Sequence, residues 1–348
     1  MGTMDTKIAH IVQSEFGVDT QVQVTRPDPQ FGDYATNVAL QLAKQVGKNP
    51  RDIAETLAAK LRETGEYSDV SIAGPGFINI TLSSEGLVGL VRAEPHPVYA
   101  GQNIVFEYSC PNAFKELHTG HLYQTIFGDI LSRLFLVGGA KLSRTSFGGD
   151  VGLHVAKCLW GMRSELGSDD PTGLEAIDND AFARARWISQ CYVAGASAYE
   201  ADAATKDEID ELNKTIYGFH DSNDHESNLA QIYWTTRQWS YDYFDAFYGL
   251  IEVAPLRYYT ESATAPVGLE VVREQLAAGN LKESDGAVVF EGDESKHLHT
   301  RVFITSKDLP TYETKDIGVI WQEKADYDFD HRYLMTGNDQ KEYMRVVF

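Results

Sequence analysis

The chain has few cysteines, no apolar run of membrane-spanning length and a deficit of positive charge. Its 348 residues include three cysteines, Cys110, Cys158 and Cys191. The number is odd and no two stand at Cys-x-x-Cys spacing. That argues against a disulfide framework or a thiolate zinc site, and for a reducing, cytoplasmic setting. No segment approaches the roughly 18–20 apolar residues needed to cross a bilayer. The opening MGTMDTKIAH has no apolar signal region, so neither membrane insertion nor secretion is expected. With 43% hydrophobic and 23% charged residues, the composition is that of a globular chain and not a disordered one. The length suggests two domains.

Lys and Arg number 30 against 51 Asp and Glu, a net charge of −21. A uniform deficit of that size would argue against a nucleic-acid partner, because phosphate neutralisation needs basic groups. The deficit is concentrated, however. Residues 161–310 hold 12 basic and 27 acidic groups, whereas residues 101–160 hold 5 and 4. The acidic block reads as solvated helix faces, so the total charge does not decide about RNA.

The first hundred residues read as a small α+β domain, residues 1–98. Ile8, Ile11, Val12 and Phe16 mark a short amphipathic helix, and Gln21–Thr25 alternates as a strand does. A second helix carries Val38, Ala39, Leu42 and Ala43. A third starts near Pro50, a favoured first-turn residue. VSIAGPGFINITL reads as two strands across a Gly-Pro-Gly turn. Residues 93–102, with Pro95 and Pro97, read as a linker.

From Asn103 the pattern becomes strand, loop, helix, strand, the core of a parallel α/β sheet. NIVFEYS is a buried-type strand. The helix after it places Leu122, Ile126, Ile130, Leu134 and Phe135 on one face and ends at Gly138-Gly139. KLSRTSF is the next strand. An acidic, mostly helical insertion is expected over about 160–305, with short strands toward its end. A helix through TYETKDIGVIWQEK and a strand at HRYLMTG follow. The second domain is therefore residues 99–348, of Rossmann type.

The chemistry concentrates in EYSCPNAFKELHTGH, Glu107 to His121. His118 and His121 lie three apart and share a face at a helix start. That end of a helix offers free N–H groups and partial positive charge, which suit phosphate. Gly120 lets a flat nucleotide approach, and imidazole donors can stabilise charge on a phosphate under attack. Lys115 adds a point charge in the same loop. A core histidine pair is the plain alternative; the strand before and long helix after favour nucleotide chemistry.

With these residues in view, the chain resembles the arginyl-tRNA synthetases, a family of class I aminoacyl-tRNA synthetases. SCPNAFKELHTGHL is similar to that family's Ser-x-Pro-Asn and HIGH-type segment. Gly149, Asp150 and Gly152 stand at its Gly-Asp-x-Gly motif. TYETKDIG is similar to its Tyr-x-Thr-x-Asp-x-Gly segment, and GNDQKEY to a later strand end. FGDYATNVALQLAK and GPGFINI resemble its N-terminal domain. The resemblance implies a class I Rossmann-type nucleotide-binding catalytic domain with a helical insertion, preceded by a small α+β domain. It implies ATP-dependent activation of L-arginine and transfer to tRNA(Arg). His118, Gly120, His121 and Leu122 would bind ATP, with His118, His121 and Lys115 catalytic. Glu107, Ser109, Asn112, Tyr312, Asp316 and Gln340 would bind arginine. A guanidinium is planar, charged and rich in donors, so carboxylates and fixed acceptors suit it. Asn37, Phe31 and Tyr34 would touch tRNA. Mg²⁺ would arrive with ATP, and no resident metal, no membrane and a cytoplasmic monomer are expected.

The departures from the family pattern carry further expectations. No KMSK-like loop or anticodon-binding domain follows within the sequence, so it reads as the N-terminal part of a synthetase with little activity of its own. Tyr343 stands where many relatives carry histidine. Two other readings are a nucleotidyltransferase that adenylates a small acid without tRNA, and a non-catalytic synthetase-like binding module.

Overall fold

The structure, a computed structural model, describes residues 4–347. It divides into two compact units between Pro95 and His96.

The first unit contains α1 (Met4–Phe16), β1 (Tyr34–Thr36), α2 (Val38–Val46), α3 (Pro50–Glu63), β2 (Tyr67–Ala73), β3 (Phe77–Leu82) and α4 (Ser84–Arg92). Its antiparallel sheet has the order β1-β3-β2. Ile8, Val12, Leu42, Ile53, Leu57 and Ile80 meet in one core, as the helical spacing of the first three helices requires. Asn49 caps α3 by accepting the Arg51 N–H at 2.9 Å, with Pro50 in the first turn. The strand expected at Gln21–Thr25 shrinks to a single bridge between Thr25 and Ala35. Pro27 and Pro29 follow it, and neither has an N–H to extend the ladder.

The second unit contains β4 (Asn103–Glu107), α5 (Thr119–Val137), β5 (Lys141–Gly148), α6 (Leu153–Leu166), α7 (Ala181–Ala201), α8 (Ala203–Asp221) and α9 (Asn228–Leu250). There follow β6 (Arg257–Thr260), α10 (Glu261–Ala277), β7 (Lys282–Ser284), β8 (Ala287–Phe290), β9 (Arg301–Ile304), α11 (Tyr312–Tyr327), β10 (His331–Leu334) and α12 (Lys341–Val347). Four strands form a sheet of order β10-β4-β5-β6, parallel throughout. The chain steps outward from β4 to β5 to β6, then returns to the other side of β4 for β10. The switch point therefore lies between β4 and β10, and a doubly wound sheet binds ligands beyond the strand ends there.

Two expectations need correction. The insertion is not one block over 160–305, because β6 rejoins the parallel sheet at residues 257–260. Helices α6–α9 form the crossover into β6, with a core of Val155, Leu159, Met162, Ile188, Ile216 and Tyr233. Between α10 and α11 lies a second excursion, the antiparallel sheet β7-β8-β9. Before it, residues 261–277 are helical where short strands were expected; Pro266 and Gly268 inside α10 had obscured its periodicity.

The other correction concerns α5. Its apolar residues do share a face, but Leu122, Ile126, Ile130 and Leu134 are exposed. The buried side carries Thr125, Gly128, Asp129 and Ser132. Small and hydrogen-bonded groups let the helix lie close to the sheet: Ser132 accepts from Arg144 of β5 at 2.9 Å, and Thr125 meets Ser109 at 2.7 Å.

Helices α10 and α11 cross with their backbones touching. A Cβ on Gly268 would fall 1.9 Å from the Thr314 carbonyl oxygen, and one on Gly318 2.0 Å from that of Thr264. This contact fixes where α11 presents Lys315 and Asp316. Gly268→Ala is expected to lower unfolding stability by about 1–3 kcal/mol through overpacking, measured by denaturant titration. An unchanged midpoint would mean that the helices can part at little cost.

Candidate active site

The loop after β4 is held from several sides. The Tyr108 N–H donates to the Thr145 carbonyl at 3.1 Å and the Ala113 N–H to that of Gly149 at 2.9 Å. The Phe114 N–H donates to Ser240 Oγ at 3.0 Å. Ser109, Cys110 and Phe114 all have positive φ, at 72°, 50° and 65°. Left-handed backbone at three non-glycine residues is costly and persists where the surroundings enforce it, often at functional sites.

This loop delivers the chain to the start of α5. His118 is the cap residue, and its Nδ1 accepts the Gly120 N–H at 3.0 Å. The His118 N–H donates to His121 Nδ1 at 3.2 Å. The rings stand 3.9 Å apart, centroid to centroid. Because both Nδ1 atoms accept, each neutral ring carries its proton on Nε2. Burial lowers His121 to about 4, with His118 and Lys115 acting in the same direction. Two Nε2–H donors thus sit at the positive end of a helix. Gly120 and Leu122 share this exposed first turn.

Beside them opens a cleft of about 670 Å³ whose lining includes Asn112, Lys115, His154, Glu261, Tyr312 and Lys315. The Asn112 amide oxygen accepts the Gly149 N–H at 2.7 Å, which orients its NH₂ as the free donor. The Lys115 ammonium lies 4.7 Å from the Tyr192 ring centre. Lys315 and Glu261 form a buried ion pair. Burial raises Glu261, while Lys315 pulls it back. His154 Nε2 is buried without a hydrogen-bond partner, and burial lowers this ring to about 4. Tyr312 reaches the rim and is 74% exposed.

The rim is tied together by Asp150, which has no exposure. Its carboxylate accepts from Arg237 of α9 at 2.8 Å. It also accepts from the Ser262 N–H at 2.9 Å and the Ser262 hydroxyl at 2.6 Å.

A cluster of acids lies at the switch point. Glu107, at the end of β4 and 3% exposed, pairs with Arg332 of β10. Arg332 also donates through Nε to the fully buried Glu323 of α11 at 2.6 Å. The Cys110 thiol donates to the other Glu107 oxygen at 3.5 Å. Tyr343 donates its hydroxyl to Asp316. Burial pushes Glu107 up to about 7, opposed by Arg332 and assisted by Glu323 and Asp316. Burial likewise pushes Asp316 to about 6, against Tyr343 and Arg332.

The structure therefore sorts the expected arginine residues. Asn112 and Tyr312 share the cleft; Glu107 and Asp316 share the acid cluster. Ser109 is turned inward, its hydroxyl between Thr125 and Tyr248 at 2.7 and 2.8 Å. Gln340 ends a short turn, Asn338–Gln340, after β10 and is exposed. In the first unit, Phe31 and Asn37 line a depression of about 440 Å³ with Phe77 and Asn79. Tyr34 lines another, with Val22 and Val24.

Sequence reading missed Glu261, His154, Arg332 and Glu323. His154 could have been found from its place beside the Gly-Asp-x-Gly segment. The others carried no local pattern, since their partners are far along the chain.

A parallel sheet with this switch point, and a His-x-Gly-His helix start beyond its first strand, is the catalytic arrangement of class I aminoacyl-tRNA synthetases. Residues 91–348 match the profile described as "tRNA synthetases class I (R), catalytic domain". Residues 3–82 match "Arginyl tRNA synthetase N terminal domain". With most of its length so matched, the chain belongs to the arginyl-tRNA synthetase family. The arginine–tRNA ligase of Shewanella pealeana is 36% identical over 182 residues, covering 50% of this chain and 31% of that protein. That of Shewanella loihica is 31% identical over 297 residues, covering 82% and 48%. The chain thus matches 31% to 48% of these relatives' length. Among solved structures, the arginyl-tRNA synthetase of Plasmodium falciparum matches with a TM-score of 0.71 at 18% identity, over 99% of this chain and 60% of that one. The Thermus thermophilus enzyme gives 0.65 at 20%, over 91% and 52%. At such identities the structures establish the fold. Among the described residues, no helix is long and apolar enough to cross a membrane.

His121 and His154 give a pH signature. Their folded pKa values near 4 lie below the ordinary 6.5. Above 6.5 neither state is protonated; as pH falls from 6.5 toward 4 the unfolded chain takes protons first, and stability is lost. Glu107 and Asp316, raised when folded, act in the opposite sense between about 7 and 4.5. His154→Gln is therefore expected to show a smaller drop in melting temperature between pH 7 and 4.5 than the parent. Identical drops would mean that His154 is protonated in the folded protein.

Proposed function

We propose that this chain carries the arginine-activating site of an arginine–tRNA ligase. The observation that carries the reading is the charge imbalance at the switch point. Glu107, Glu323 and Asp316 lie together around one guanidinium, that of Arg332, and burial raises two of the three carboxylates. Carboxylates in that condition favour one further cation, and a guanidinium matches their geometry best.

In this reading Asp316 and Tyr312 take the arginine guanidinium, with Glu107 and Gln340 supporting. Asn112 offers its NH₂ to the α-carboxylate end. Ser109 acts from behind, by fixing the loop. The arginine carboxylate attacks the α-phosphate of ATP, giving arginyl-adenylate and pyrophosphate. A terminal ribose hydroxyl of tRNA(Arg) then takes the arginyl group and AMP leaves. His118 and His121 donate Nε2–H to the phosphate oxygens as charge develops, on a first turn open to the nucleotide at Gly120 and Leu122. Lys115 adds positive charge from the side. ATP arrives as its Mg²⁺ complex. In the first unit, exposed Phe31 and the Asn37 amide suit an unpaired tRNA base, with Tyr34 nearby. The setting is the cytoplasm, and the chain acts as a monomer.

The test is ATP–pyrophosphate exchange and aminoacylation with arginine and tRNA(Arg), using the protein at its natural length. His118→Ala and His121→Ala should each lower kcat by roughly 100- to 1000-fold with little change in the KM for ATP, because a positioned donor acts in the transition state. Asp316→Asn should raise the KM for arginine and leave that for ATP unchanged. Near-normal turnover in the histidine variants would make the pair structural; an unchanged arginine KM would remove Asp316 from the pocket.

A further inference from the structure

Glu107 sits where the switch point places ligands, yet its carboxylate does not stand alone. Arg332 comes from the neighbouring strand β10 and reaches it sideways. The same guanidinium is held from the other side by Glu323, which has no exposure. A planar guanidinium between two carboxylates cannot rotate freely, because each N–H fork has one fitting direction. Three elements, β4, β10 and α11, are thus locked through one side chain, and the lock ends on Glu107.

We propose that Arg332 is a positioning residue: anchored by Glu323, it sets the orientation and charge of Glu107, and thereby how strongly the site takes a cationic amino acid. The inference rests on the arginine-activating reading above. The physical need is clear from the neighbours of Glu107. Glu323 and Asp316 of α11 disfavour its ionised form, the Cys110 thiol bonds to it, and Arg332 is the cation that opposes its burial. Without Arg332, Glu107 would hold its proton at neutral pH and present a neutral acid to a cationic ligand.

The experiment follows Glu107 and the ligand separately. The Glu107 carboxyl is titrated by carbon-13 NMR in the natural-length protein, assigned through Glu107→Gln, and arginine binding is measured by calorimetry from pH 5.5 to 9. In the parent, arginine affinity should fall as pH drops through about 7, the Glu107 value. In Arg332→Met both midpoints should rise by at least one unit. Affinity at pH 7 should then drop about fivefold or more, because a one-unit rise takes the ionised fraction of Glu107 from about one half to about one eleventh, and recover by pH 9. Arg332→Lys should restore most of it. Should Arg332→Met fail to fold, Arg332→Met with Glu323→Gln removes the buried unpaired carboxylate and is compared with Glu323→Gln alone, so that the effect of Glu323 on Glu107 cancels. An unchanged Glu107 midpoint, or a loss of affinity equal at all pH values, overturns the proposal. Absence of arginine binding by the parent overturns the substrate reading instead, while the Glu107 titration still decides the role of Arg332.

Discussion

The buried carboxylate of Asp150 joins three segments that the parallel sheet alone would leave independent: the loop after β5, helix α9 through Arg237, and the first turn of α10 through Ser262. Its backbone carbonyl accepts the Tyr233 hydroxyl at 3.0 Å, and His220 stands behind that tyrosine at 2.7 Å. Since the Tyr233 proton goes to the carbonyl, the tyrosine oxygen accepts from His220. Fixing the start of α10 fixes Glu261. The glycine crossing then carries that placement to α11, where Lys315 meets Glu261 and Asp316 meets Tyr343. Removing one partner of such a buried pair typically costs about 3–5 kcal/mol, because the other charge is left unpaired. The site's geometry thus depends on an ion pair at its rim, outside the reacting groups.

Charge acts here at two scales. The net −21 belongs mostly to the helical crossover and its surroundings, where water screens exposed charges beyond roughly 8–10 Å. At the site the arrangement is local and divided. Lys115 and the Lys315–Glu261 pair line the cleft, and Glu107 and Asp316 stand at the switch point. In the proposed reading, Lys115 serves the phosphate end of a ligand and the acids its guanidinium end, whatever the total charge.

Much of this was legible in the sequence. The hairpin of β2 and β3, the helix starts near Pro50 and His118, and the strand–loop–helix order around β4 all follow from local turn and first-turn chemistry. The orientation of α5 was not. Periodicity locates an apolar face, but cannot say that Gly128 and Thr125 face the sheet while Ile126 and Ile130 face outward. Helix α10 was hidden because Pro266 and Gly268 lower local propensity, and tertiary contact with α11 overrides it. Glu107 read as a ligand contact from its motif, while the cation that holds it lies 225 residues away. No window-based reading joins such a pair.

Several features of the site oppose stability. Three non-glycine residues in left-handed backbone, two carboxylates raised by burial and two imidazoles kept neutral all disfavour the folded state. They occur together beyond the C-terminal ends of the strands of one sheet, around the switch point and the starts of α5 and α6. A chain selected for stability alone would exchange such groups for apolar ones of similar volume, since a buried ion pair is often matched or exceeded by hydrophobic packing. Their concentration at one place, held by Asp150, Arg332 and the helix crossing, fits a site whose electrostatics are arranged before the ligand arrives. In the proposed reading, binding a guanidinium would relieve the acid cluster, and a phosphate would meet Nε2–H donors whose tautomers are already set by their Nδ1 bonds. The energy stored against folding is then available for binding, which is how preorganisation acts.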